Sequence, residues 1–173
     1  MVRITRGFTL VELLVTILVV SILATTAAPL FAKAIARQSL IARANNLVGF
    51  IYLAREKASE GNPVMLCALD QACAQFADTR HLALVEDRNH NERFDDADEI
   101  LAELVLPEAM QVSWRSFRRK PWLRFTHQAR SHYQNGHFLL CQEDMGIKVI
   151  ITRIGRPRVE KGGVKEALCQ PGN

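Results

Sequence analysis

Apolar positions fall into three regimes along the chain. From Phe8 to Phe31 they are nearly continuous, and Glu12 is the only charge in 24 residues. A helix of that length crosses a hydrocarbon core of about 30 Å. From Leu40 the pattern thins to one stripe, Leu40, Ala44, Leu47, Ile51, Ala54 and Ala58, at alternating steps of four and three. That spacing predicts an amphipathic helix with one face against a protein core. Arg37, Arg43, Arg55 and Lys57 fall mostly off the stripe, and Gly61-Asn62-Pro63 is a strong stop. One helix from Phe8 to about Glu60 would be roughly 80 Å long, loosened or kinked where Pro29 removes a backbone bond.

Beyond Pro63 the runs shorten to strand length: Val64–Leu69, Leu82–Glu86, Ile100–Leu106, Gln111–Phe117, Trp122–Thr126, Phe138–Gln142 and Ile147–Ile154. Turn-forming stretches such as "DRNHN", "QNGH" and "QEDMG" separate them. One long helix followed by antiparallel strands predicts an α+β fold, the helix packed on a β-sheet domain. The expected division is 1–7, a basic lead; 8–31, the membrane-length segment; 32–61, the amphipathic helix; and 62–173, the β-rich domain.

Charge sharpens this picture. The formal total is only +4, but Glu86–Glu103 holds eight acids against two bases, whereas Ser113–Arg130 holds six bases and no acid. Ile147–Asn173 holds six bases against two acids. Arg3 and Arg6 precede the apolar run and would hold that end on the cytoplasmic side of a membrane. A cleaved secretory signal fits poorly, because its exit site, Thr26–Ala28, runs straight into Pro29. The four cysteines, Cys67, Cys73, Cys141 and Cys169, lack metal-finger spacing. Behind such an N-terminus they point to an oxidising compartment and two disulfides, against the alternative of four buried thiols. Of three possible pairings the local one, Cys67–Cys73 with Cys141–Cys169, is favoured, and the sequence leaves the choice open.

No catalytic centre emerges, and no cofactor is expected. His81, His90, His127, His132 and His137 are scattered without ligand spacing, and no phosphate loop or nucleophile elbow is present. "DRNHNERFDDADE" puts Asp87, Asn89 and Asn91 at alternate positions of a calcium-type loop, with Asp95 and Asp98 beyond. Glu92 stands where that loop needs glycine, so a solvated connection is the expectation and a metal site is not.

"RGFTLVELLV", Arg6–Val15, resembles the class III leader of type IV pilins and type II secretion pseudopilins. It has a short basic lead ending in Gly, then Phe, and Glu four residues later. The resemblance implies that a prepilin peptidase cuts between Gly7 and Phe8 and methylates the Phe8 amine, leaving the apolar helix on the mature chain. It also implies that Glu12 pairs with the Phe8 amine of a neighbouring subunit, an opposite charge that favours the ionised carboxylate. The whole chain looks most like the FimT/GspH group. That implies the type IV pilin fold, an inner-membrane protein with its globular domain in the periplasm, and other pilin subunits as partners.

"ITRIGRPRVEKGGVK" carries the remaining chemistry. Arg156 and Arg158 alternate, so an extended strand projects both to one side, with Pro157 stiffening the backbone and Arg153, Lys161 and Lys165 flanking. Such a cluster binds phosphates without reading bases. "GRPR", Gly155–Arg158, resembles the GRxR element of FimT-type minor pilins implicated in DNA capture during natural transformation, which implies DNA as a partner. The rival readings are a solvated basic edge that resists strand-to-strand aggregation, and a purely structural role, as a pseudopilin of a type II secretion system or a minor pilin that only primes pilus assembly. In "WRSFRRKPWLRF", Trp114–Phe125, the aromatics are expected to face the core of one hairpin, with the bases around its turn.

Overall fold

The computed structural model describes residues 8–131, 133–165 and 169; Gly7 with the rest of the leader, and His132, lie outside them. A single helix, α1, runs Leu10–Glu60 and continues through Pro29. The chain divides into two compact units, Met1–Ala36 and Arg37–Asn173.

In the first unit the helix is apolar all round. An 18-residue stretch reaches a mean hydropathy of 2.3 with none of it buried. Its large apolar side chains between Phe8 and Phe31 are 49–75% exposed, a surface suited to lipid or to other helices. Thr9 caps the helix, its Oγ1 accepting the Glu12 N–H at 3.2 Å. Thr9 and Glu12 thus stand in the spacing of a capping box, and an acid in the first turn also complements the helix dipole.

In the second unit the stripe Leu40, Ala44, Leu47, Ile51, Ala54 and Ala58 is buried, joined by Phe50. The helix stops at Glu60, one residue before the Gly61-Asn62-Pro63 signal. Among the described residues eight strands follow: β1 Val64–Ala68, β2 His81–Glu86, β3 Glu99–Val105, β4 Met110–Ser116, β5 Trp122–Phe125, β6 Gly136–Gln142, β7 Met145–Ile151 and β8 Pro157–Val159. They form two antiparallel four-stranded sheets, in the orders β3-β2-β1-β5 and β4-β6-β7-β8. The α+β architecture, a long helix packed on antiparallel sheet, is as expected, but the strands make two sheets rather than one.

The first sheet is buried on both faces at β1. Met65, Cys67, Ala83, Val85 and Trp122 form a cluster on one face, closed by Cys73, Leu69 and Phe94. The second sheet is one-sided. Along β4, Met110, Val112 and Trp114 are buried while Gln111 and Arg115 are exposed. Trp114 stacks on Phe138 at 4.4 Å, and Phe76 meets Phe138 edge-on at 5.5 Å.

The expected Trp114–Phe125 hairpin does not form. β4 pairs with β6 and β5 with β1, so the turn between them crosses from one sheet to the other. Trp114, Trp122 and Phe125 are core residues as expected, but Phe117 is 82% exposed, because it stands on that crossing segment. The last expected strand also ends early. β7 ends at Ile151 rather than Ile154, the chain turns, and Pro157–Val159 returns as an edge strand. Proline is admissible there because an edge strand does not need every N–H in a ladder.

Candidate nucleic-acid interface

The β7–β8 turn, Thr152–Arg156, is tied to itself. Gly155 N–H donates to the Thr152 carbonyl at 2.9 Å, Thr152 N–H to the Arg156 carbonyl at 3.1 Å, and Arg156 N–H to Thr152 Oγ1 at 3.0 Å. Gly155 is buried at φ +80°, and a Cβ there would stand 2.7 Å from Phe125 Cε1 and 3.1 Å from Ser131 Cβ. Any other residue would strain the backbone and push on a fully buried ring. The glycine of "GRPR" is therefore explained by packing.

Pro157 is buried between exposed Arg156 and Arg158, so the two guanidinium groups leave the hairpin on the side away from the core. Both line a groove of about 540 Å³ whose other wall is the last part of α1, through Tyr52, Arg55, Glu56 and Ser59. Arg55 is fixed in that wall. Its Nε donates to the Ala129 carbonyl at 3.2 Å, and its guanidinium stands 5.8 Å from the Tyr52 ring centre. Sequence reasoning missed Arg55 as a site residue, since it read only as a position off the apolar stripe. Glu56 is the one acid lining this groove among the described residues.

Arg153 sits apart at the turn tip, its guanidinium 5.3 Å over the Tyr133 ring, beside a separate cleft lined by Gln128, Arg130 and Ile154. Lys161 follows β8 in the turn carrying Gly162 and Gly163 and does not line the groove. Among the described residues, Arg153, Arg156, Arg158 and Lys161 form no ion pair. Lys120 and Arg124 of the second basic stretch differ. Lys120 meets Glu92 at 3.4 Å and lies 5.0 Å over Trp122, and Arg124 meets Glu92 at 3.5 Å.

Arg124 also meets Asp87, its Nη2 3.2 Å from Oδ2. Asp87, expected on a solvated loop, is fully buried, and its carboxylate further accepts the N–H groups of Asn91 at 3.0 Å and Glu92 at 3.3 Å. The rest of the loop closes on its own acids. Asp95 takes the Ala97 N–H and the Asn89 and Asn91 amides, which hold its carboxyl below the ordinary range. Asp98 takes the Arg88 and Asp95 N–H groups at 3.1 Å. Internal donors thus satisfy the carboxylates that a calcium ion would need.

Two disulfides join Cys67 to Cys73 and Cys141 to Cys169. The second pins the C-terminal segment to β6, beside the bridge between Gly146 and Lys165.

A family model for the prokaryotic N-terminal methylation motif matches residues 3–28, and one for the type II transport protein GspH matches residues 43–155. No curated protein and no solved structure matches the chain. Pilins and pseudopilins are structural proteins rather than enzymes, and membership implies prepilin-peptidase processing and association with other pilin subunits. The GspH match ends at Gly155, so membership by itself says nothing about Arg156 or Arg158. Because that match spans well over half of the sequence and follows the methylation motif on an apolar helix, the chain belongs to the GspH family, as a minor pilin or pseudopilin of the type IV pilin fold.

Proposed function

We propose that this minor pilin captures DNA without sequence preference, holding phosphates on Arg156 and Arg158 of the β7–β8 hairpin and on Arg55 of α1, in the service of DNA uptake. The observation that carries the reading is the groove itself. Three arginines line it, and the hairpin pair has no acid partner among the described residues. Guanidinium groups suit phosphate because their donors form a planar fork, and contacts to phosphate alone carry no base information. One such site is weak, and capture would gain from several copies on one filament.

The same proposal gives the N-terminus its roles. Cleavage falls between Gly7 and Phe8, the Phe8 amine is methylated, and Glu12 neutralises the Phe8 amine of an adjoining subunit. The apolar helix stays in the inner membrane, the domain faces the periplasm, and assembly carries both into a pilus. The competing reading, a pseudopilin of a type II secretion system that only builds or primes a filament, is favoured by the name of the matching family.

Full-length protein in detergent micelles, titrated against a fluorescent duplex over a salt series, separates the two. Three phosphate contacts predict that log affinity falls with log salt at a slope of about −3 or steeper, and Arg156→Gln/Arg158→Gln should flatten it by about 1.8. No binding by the unaltered protein at low salt would favour the filament-only reading.

A further inference from the structure

Arg115, His137, Ile150 and Arg158 stand directly opposite one another across β4, β6, β7 and β8. Directly paired residues project to the same face of a sheet, so this row runs from one edge of the sheet to the other. At about 4.8 Å per strand it spans roughly 14 Å. Lys148, two positions before Ile150 on β7, shares that face. The row one position away, Trp114, Phe138 and Val149, is buried, which makes the Arg115 face the open one. Arg115 and Arg158 are exposed, and His137, Lys148 and Ile150 are half-buried.

The row is also continuous with the groove. β4 ends, β6 begins, β7 ends and β8 begins at the same end of the sheet, which therefore gathers Arg115, the Arg118–Lys120 turn and the Thr152–Arg156 turn. Arg158 belongs to both row and groove. Arg115, Lys148 and Arg158 form no ion pair among the described residues. The acid beside them, Glu160 just after β8, is held by Lys165 at 2.7 Å.

Resting on the DNA-capture reading, we propose that this sheet face is the second half of the DNA track. Phosphates pass from the Arg156–Arg158 groove across Lys148 and His137 to Arg115, and His137 makes the hold tighter in acid. A duplex presents one charge per about 1.7 Å of axis, so a 14 Å row faces several phosphates at once. His137 is surrounded by Arg115 from β4, Lys148 from β7, Arg158 farther along the row and Glu160 beyond β8. Partial burial, then Lys148 and Arg115, lower its pKa from 6.5, with Glu160 opposing. In the free protein it is therefore neutral at pH 7.5 and gains charge only in acid, and a polyanion overhead favours the charged form.

The test is the same titration of full-length protein in micelles, on a 25-bp duplex of mixed sequence, at pH 7.5 and 5.5. Arg115→Gln/Lys148→Gln should flatten the salt slope by about 1.8 and weaken binding at least tenfold at 50 mM salt. Lys33→Gln/Arg37→Gln, which removes the same net charge elsewhere, should change the slope far less. Unaltered protein should tighten between pH 7.5 and 5.5 by more than His137→Gln does. If Arg115→Gln/Lys148→Gln binds with unaltered affinity and slope while Arg156→Gln/Arg158→Gln does not, the sheet track is wrong and the groove stands. Equal pH responses in His137→Gln and unaltered protein overturn the histidine contact. If the unaltered protein binds no DNA, the capture reading and the track fall together.

Discussion

Replacing Asp87 with alanine is expected to destabilise the domain by about 3–5 kcal/mol, the usual cost of removing one member of a buried ion pair. Asp87 is fully buried and Arg124 nearly so, with 16% of its side chain exposed. Alanine would strip Arg124 of this partner and also leave the Glu92 N–H without its acceptor, while the Asn91 N–H keeps Asn89 Oδ1 at 3.1 Å. Glu92, 3.5 Å from the same guanidinium, compensates in part and draws the cost toward the lower bound. For a domain of this size the loss corresponds to a melting-temperature drop of about 10 °C. Asp95→Ala, a change on the exposed part of the same loop, should cost far less. Equal thermal shifts in the two variants would show that the loop is a solvated connection after all.

The second large effect belongs to the Cys141–Cys169 disulfide. Its sequence separation of 28 gives, by the chain-entropy treatment, about 3.6 kcal/mol of stabilisation through the unfolded state. The Cys67–Cys73 bridge, with a separation of 6, gives about 2.2 kcal/mol by the same arithmetic. Cys141→Ser/Cys169→Ser should therefore lower the denaturation midpoint by close to the larger amount. Both cysteines are only partly buried, so serine adds little penalty of its own. Denaturant unfolding under non-reducing conditions checks this. An unchanged midpoint would mean that the bridge fastens a segment that contributes nothing to the cooperative unit.

What could be read from the chain before folding follows a physical divide. The helix and its buried stripe were legible because a 3.6-residue period repeats locally from Leu40 to Ala58, and Gly61-Asn62-Pro63 ends it unambiguously. Strand positions other than β8 were legible to within a few residues, because short apolar runs between turn residues are also a local signal. Strand partners were not. β4 and β5 look like one hairpin, yet Ser116 lies opposite Gly136 and Trp122 opposite Cys67, choices made by long-range packing. β8 was overlooked because Pro157 and two arginines do not resemble a strand, and its identity as an edge is what permits them.

The candidate site divides in the same way. Arg156 and Arg158 stood out by their spacing alone. Arg55 joined them only through tertiary packing, 101 residues away from Arg156 in sequence. Asp87 and Arg124, 37 residues apart, carried no local sign of being a pair. Conversely, Arg153 and Lys161 were grouped with the hairpin pair by proximity in the chain, and the fold sends them elsewhere.

Arginine-selective modification of the full-length protein, read residue by residue with and without duplex DNA, tests the groove most directly. The account predicts protection at Arg156 and Arg158, with Arg37 on the helix unaffected. Undiminished modification of Arg156 and Arg158 in protein that is visibly bound to DNA would contradict it.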